Sequence, residues 1–168
     1  MTGATSPSGF AVGSAWDAGD MEITRSVETT TPIEKVFAYL SDFTNTEEWD
    51  PGTVSTRRVA GDGGEGTKYH NVSKFAGSKT ELTYTVRSHV PNERFVLVGQ
   101  NKTVTATDTM TFSPTATGTR VTYNAAFEFK GLFGKAAPLL SPVLGIAFKK
   151  LGDEAEKGLQ TNLDKLGK

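Results

Sequence analysis

The sequence predicts an α+β fold, with helices gathered on one face of a curved antiparallel sheet of about seven strands and the longest helix at the carboxyl end. Three observations carry this. From Thr53 to Lys130, apolar and polar residues alternate with a period of two, interrupted by Gly-, Pro- and Asn-bearing turns. Leu144, Phe148, Leu151, Ala155, Leu159, Asn162 and Leu166 then recur every three or four residues, the mark of an amphipathic helix. The links between successive strands are short, which favours an antiparallel meander with one buried face and the helices gathered on it.

Taken in order, residues 1–19 are rich in Gly, Ala, Ser and Thr and read as a disordered leader, with docking of Trp16 on the domain as the sharper alternative. Residues 20–168 read as one domain. Met21 to Thr30 alternates as a strand with Ile23 facing inward. Thr31-Pro32-Ile33-Glu34 supplies a cap, a proline at the first helical position and an acid in the first turn. The helix it opens carries Ile33, Val36, Phe37 and Leu40 on one side. Ser41-Asp42 starts a second short helical segment with Phe43 and Trp49 as apolar contacts, and Asp50-Pro51-Gly52 stops it. Strands are predicted over 53–60, 66–75, 79–89, 93–101, 103–113 and 118–130. The clearest runs from Thr103 to Phe112: one face is a threonine ladder, the other Val104, Ala106, Asp108, Met110 and Phe112. After a short amphipathic turn from Gly131, Ser141-Pro142 marks the start of the long helix, about 25 residues and nearly 40 Å in length.

Composition narrows the function. One domain with a sizeable core suits 168 residues. Lys and Arg (18) nearly balance Asp and Glu (19), which argues against an electrostatic nucleic-acid or anionic-membrane surface. Without cysteine there are no disulfides, thiolate metal sites or cysteine nucleophiles, in keeping with a reducing, cytoplasmic setting. No apolar run is long enough to span a membrane, and the start lacks the basic and apolar regions of a secretory signal.

The stretch Val27–Pro51, with Pro32-Ile33-Glu34-Lys35-Val36-Phe37 leading into Asp42-Phe43, Trp49 and Pro51, resembles the amino-terminal signature of the polyketide cyclase/dehydrase-like family of the START-related (SRPBCC) superfamily. Gly66-Thr67-Lys68-Tyr69, Gly118-Thr119-Arg120-Val121-Thr122-Tyr123 and the final helix fall where that family would place them. The resemblance covers residues 20–166. It implies the helix-grip fold, in which a strongly curved sheet grips the long helix with a tunnel between them. It brings no catalytic residue, because no motif here specifies one.

The chemistry-bearing residues are few. Gly61-Asp62-Gly63-Gly64-Glu65-Gly66 spells a G-x-G-x-x-G, but a strand follows it, so it reads as a hairpin loop and not a phosphate cradle. His70 and His89 lie on strands without the spacing of a zinc pair and read as surface residues. No cofactor and no metal is expected. Asp108 interrupts an apolar row on the inward face; it is either a paired or rim-exposed carboxylate, or a tunnel group able to orient a ligand hydroxyl or move a proton. Tyr84 and Tyr123 are core tyrosines or contributors to the same cavity. The tunnel that the resemblance implies would be walled by Phe37, Trp49, Tyr69, Tyr84, Asp108, Met110, Tyr123, Phe127, Phe133, Leu140, Leu144 and Phe148, whose apolar members ordinary core packing would equally explain. Gly131, Gly134, Pro138, Pro142 and Gly145 interrupt the helix start, which points either to a flexible lid at one tunnel mouth or, equally, to poor helix packing.

Three functions remain open. The leading one is binding or transport of a small hydrophobic ligand (a lipid, polyketide or other aromatic natural product) by a monomer or weak homodimer, which calls for a cavity of roughly several hundred Å³. The second is an aromatase/cyclase-like enzyme, requiring Asp108 or a tyrosine deep in the cavity. The third is a protein-interaction module with a filled core.

Overall fold

The computed structural model describes residues 20–168, the side chains of residues 20, 137, 138 and 141 apart; the leader expected over 1–19 lies outside them. Strand β1 (Asp20–Thr29) is followed by helix α1 (Ile33–Ser41), a 3-10 turn (Phe43–Asn45) and the short helix α2 (Thr46–Trp49). Six strands follow: β2 (Thr53–Ala60), β3 (Lys68–Phe75), β4 (Ser78–Val90), β5 (Arg94–Gln100), β6 (Val104–Pro114) and β7 (Thr119–Phe129). Helix α3 (Gly131–Leu166) ends the chain. The sheet is seven-stranded in the order β1-β7-β6-β5-β4-β3-β2, every pair antiparallel. It is a sequential meander except where β1 returns to pair with β7.

Alternation decides which side chains face α3. On β6, Val104, Ala106, Asp108, Met110 and Phe112 are all buried, while the threonines between them lie on the outer face. The same parity buries Leu82, Tyr84 and Val86 on β4, and Phe95 and Leu97 on β5. These residues meet Val36, Phe37 and Leu40 of α1 and Ala155, Leu159 and Leu163 of α3 in one core. A smaller cluster forms where Ile23, Leu144 and Phe148 meet under the first half of α3.

Three local expectations are corrected. Thr31 does not cap α1; its hydroxyl donates to the Leu163 carbonyl at 2.8 Å, tying the β1–α1 link to the end of α3. The N-terminal side of α1 is instead set by Pro32, whose carbonyl accepts from Val36. Asp42 does cap the next turn, accepting from the Thr44 N–H at 3.1 Å. Second, α3 does not begin at Ser141-Pro142 but runs unbroken for 36 residues, about 54 Å. Each interior proline removes one i→i−4 bond, yet Leu144 and Phe148 keep the segment seated on the sheet. The buried stripe of α3 also includes Leu163, fully buried, in place of half-buried Asn162 and Leu166. Third, His89 is no bare surface residue: its ring stands edge-on to Phe37 and Phe95 at 5.1 and 5.8 Å. His70 does lie at the surface, 3.2 Å from Glu81. The glycine-rich stretch forms the β2–β3 loop, with Gly61, Gly63 and Gly66 at positive φ.

Candidate functional site

Between the concave face of the sheet and α3 lies a cavity of about 130 Å³. One end is aromatic: Phe75 and Phe127 tilt against Phe148 at 4.5 and 4.9 Å, and Phe129 lies beside them at 6.3 Å. At the other end Phe43 packs on Tyr84 (4.9 Å) and Trp49 edge-on against Tyr123 (5.5 Å). These rings fill much of the space a wider tunnel would need, so the cavity is smaller than the several hundred Å³ expected.

Of the residues anticipated for the ligand wall, Trp49, Tyr84, Asp108, Tyr123, Phe127 and Phe148 line this cavity. The other six lie off the wall. Phe37, on the buried side of α1, packs edge-on against Phe112 and His89. Tyr69 packs beside Phe43, and Met110 is buried opposite Tyr123 in the β6–β7 register. Leu144 is buried with Ile23 and Phe148, whereas Phe133 and Leu140 are exposed by nearly half. Phe133 nevertheless touches the cavity residue Phe129, ring centre to ring centre 5.1 Å.

The polar part of the wall comes from strand register. Asp108 lies between Leu97 and Ala125, and the Tyr123 hydroxyl, one diagonal away on β7, donates to its Oδ1 at 3.1 Å. The Tyr84 hydroxyl bears on the same carboxyl. Burial pushes the Asp108 carboxyl up from 3.8 to about 7; the Tyr123 bond pulls it down, the charge of Asp50 pushes it up, and Tyr84 pulls it down. Burial, reinforced by the charge of Asp108, raises the Tyr84 and Tyr123 hydroxyls well above the ordinary tyrosine value. Both phenols therefore stay protonated and donate.

Asp50 is a site residue that the pattern of the sequence did not reveal, since Asp50-Pro51-Gly52 looks like a helix stop. Its carboxylate accepts from Thr53 Oγ1 at 2.9 Å and from the Gly52 N–H at 3.0 Å. Burial raises it above the usual carboxylate range, against the pull of those two bonds. Nearby, buried Asn71 donates to Thr56 Oγ1 (2.8 Å), which bonds Thr46 Oγ1 (2.7 Å). Thr46, Thr53 and Asn71 thus give the apolar cavity one hydrogen-bonding corner beside Asp50. Among the described residues, no group of three or more His, Asp or Glu side chains is placed to hold a metal ion.

Gly99 is a second hidden contributor. It faces Tyr84 across β4 and β5, and a methyl group there would stand 2.6 Å from the Tyr84 ring. The glycine is what lets the ring lie flat on β5. Gly99→Ala is expected to displace Tyr84 and remove its pull on Asp108, so the Asp108 midpoint should move above about 7. A loss of about 1–3 kcal/mol in stability should accompany it. Carboxyl-carbon NMR titration reads the midpoint, and an unshifted value would show that Tyr84 does not tune Asp108.

The sequence of residues 20–165 matches the model of the family described as polyketide cyclase/dehydrase and lipid transport. The chain belongs to this family. Its fold is shared by the Zhui aromatase/cyclase from a Streptomyces species, at TM-score 0.72 and 11% identity, over 87% of this chain and 94% of that one. A Thermus thermophilus protein matches at TM-score 0.72 and 20% identity, over 88% of this chain and all (100%) of that one. A START superfamily protein from Mycobacterium smegmatis matches at 0.70 and 14%, over 86% and 98%. These likenesses describe the helix-grip fold expected for the family. A search of curated proteins finds no match. Among the described residues no helix is long and apolar enough to cross a membrane.

Proposed function

We propose that this member of the polyketide cyclase and lipid transport family binds a small, mostly apolar molecule bearing at least one oxygen, held between the sheet and α3. The observation that carries the reading is the placement of Asp108, Tyr84 and Tyr123 together on the wall of a largely apolar cavity. A carboxyl buried among Ala106, Leu97 and Met110 is costly in a core built only for stability. It is useful where a ligand hydroxyl or carbonyl must be oriented. The cavity volume suits a molecule of about one aromatic ring, since an apolar cavity of about 150 Å³ takes up benzene. A longer acyl or multi-ring ligand would require α3 to move off the aromatic end of the wall.

A second reading, an aromatase/cyclase-type enzyme, is favoured by one observation. A carboxyl with a midpoint near 7 is matched to proton transfer at neutral pH. A filled interaction module without a cavity has no comparable support. The absence of cysteine fits work in a reducing compartment such as the cytoplasm.

The reading is tested by native mass spectrometry of the protein as purified and after incubation with phenols, naphthols and fatty acids. Retention of a phenol-sized ligand, with affinity lowered about tenfold in Tyr123→Phe, is the expected result. Failure of every class to bind would overturn it.

A further inference from the structure

We propose that the first half of α3 is a docking surface for an anionic phospholipid bilayer. Among the described residues, six of the eight exposed large hydrophobic side chains fall between Leu132 and Ile146. Leu132, Leu139, Val143 and Ile146 are 84, 86, 70 and 74% exposed. Their spacing of seven, four and three residues sets them within about 60° of one another around the helix axis. They form a single stripe facing away from Leu144 and Phe148, which pack on the sheet. This half of the helix is therefore apolar on both sides, and its outer stripe has no partner among the described residues. A contiguous exposed patch of this kind marks an interaction site.

Charge selects the occupant. The balance of the whole chain conceals a local segregation: residues 129–152 contain Lys130, Lys135, Lys149 and Lys150 and no Asp or Glu. Lys135 and Lys150 flank the stripe. Lys149 and Lys150 pair with Asp153 and Glu154 one turn on, but such exposed pairs contribute little. A second copy laid antiparallel with the stripes matched, Leu132 on Ile146, would put Lys135 opposite Val143 and offer it no carboxylate from within the segment. Anionic headgroups complement the same pattern, and an apolar stripe edged by lysines is the form of helix that lies in a bilayer interface. This docking is peripheral, with no segment crossing the membrane. It also sets the aromatic end of the cavity against the bilayer, because Phe133 on the docking segment touches Phe129 on the cavity wall.

The test is co-flotation of the full chain with vesicles of phosphatidylglycerol and phosphatidylcholine, compared with phosphatidylcholine alone. The wild type is expected to float with the anionic vesicles and to be released as salt rises. Leu139→Glu/Ile146→Glu should abolish flotation. Lys135→Gln/Lys150→Gln should weaken it about 25-fold, from about fivefold per lysine. All these positions are exposed, so circular dichroism and melting should remain those of the wild type. No flotation of the wild type at low salt would overturn the proposal. So would equal flotation on both vesicle types that the lysine variant leaves unchanged. A dimer by light scattering that Leu139→Glu/Ile146→Glu dissociates, without vesicle binding, would assign the stripe to a second copy instead.

Discussion

Replacing Asp108 by asparagine is expected to stabilise the protein by about 3–4 kcal/mol at about pH 8 and to change it little at about pH 4. The buried carboxyl has its midpoint near 7, against 3.8 for an ordinary aspartate. Between those values the folded protein holds a proton that the unfolded chain has released. Stability of the wild type therefore falls as pH rises through this window, and the full loss is reached above about 7. Asparagine cannot ionise, and its carbonyl still accepts from the Tyr123 hydroxyl. Urea unfolding of both proteins at acid, neutral and alkaline pH measures the difference directly. Parallel stability–pH curves would show that Asp108 does not titrate abnormally. A wild-type residue whose removal strengthens the fold is the signature of a group kept for function. The same variant separates the two functional readings, since a binding protein retains ligand without an ionisable Asp108 whereas a cyclase loses turnover.

Gly158→Ala is expected to act in the opposite direction, lowering stability by about 3 kcal/mol, or the melting temperature by roughly 10 °C. In an unconstrained helix the change would help by about 1 kcal/mol. Here the added methyl would run into the Trp49 carbonyl oxygen, a backbone atom that cannot rotate away. The same junction is held by Asn162, which donates to the Glu48 carbonyl at 3.0 Å. Relief of the clash must push α2 off α3, taking the cavity residues Trp49 and Asp50 with it. Gly145→Ala, with open space around it, is the control and should be neutral or stabilising. If both substitutions behave alike, the α2–α3 approach is looser than described.

These two residues illustrate what is and is not legible in the chain. Asp108 stands out in the sequence because it breaks the row from Val104 to Phe112, and strand periodicity alone places it on the concave face. The seven strands and α1 are legible for the same reason, since alternation and turn residues are local signals. Gly158 and Gly99 are invisible because their importance lies in a neighbour, Trp49 or Tyr84, supplied by a distant part of the chain. Asp50 carries a turn signature strong enough to mask its second role beside the cavity. The first half of α3 misleads in another way: Ser141-Pro142 reads as a helix start, a local signal that the surrounding helix and its packing on the sheet override.

The strand order has a consequence for how the chain assembles. Strands β2 to β7 pair with sequence neighbours through short turns, so each hairpin closes at small entropic cost. The β1–β7 ladder is different: Ser26 meets Thr122 across 96 residues. During synthesis β1 emerges first and waits for almost the whole sheet before its partner exists. Until β1 docks, β7 presents a bare edge of unpaired backbone groups, and Ile23 and Val27 have no core to enter. The slowest and most aggregation-exposed moment of folding is thus the capture of the first strand by the last, after which α3 can close over both.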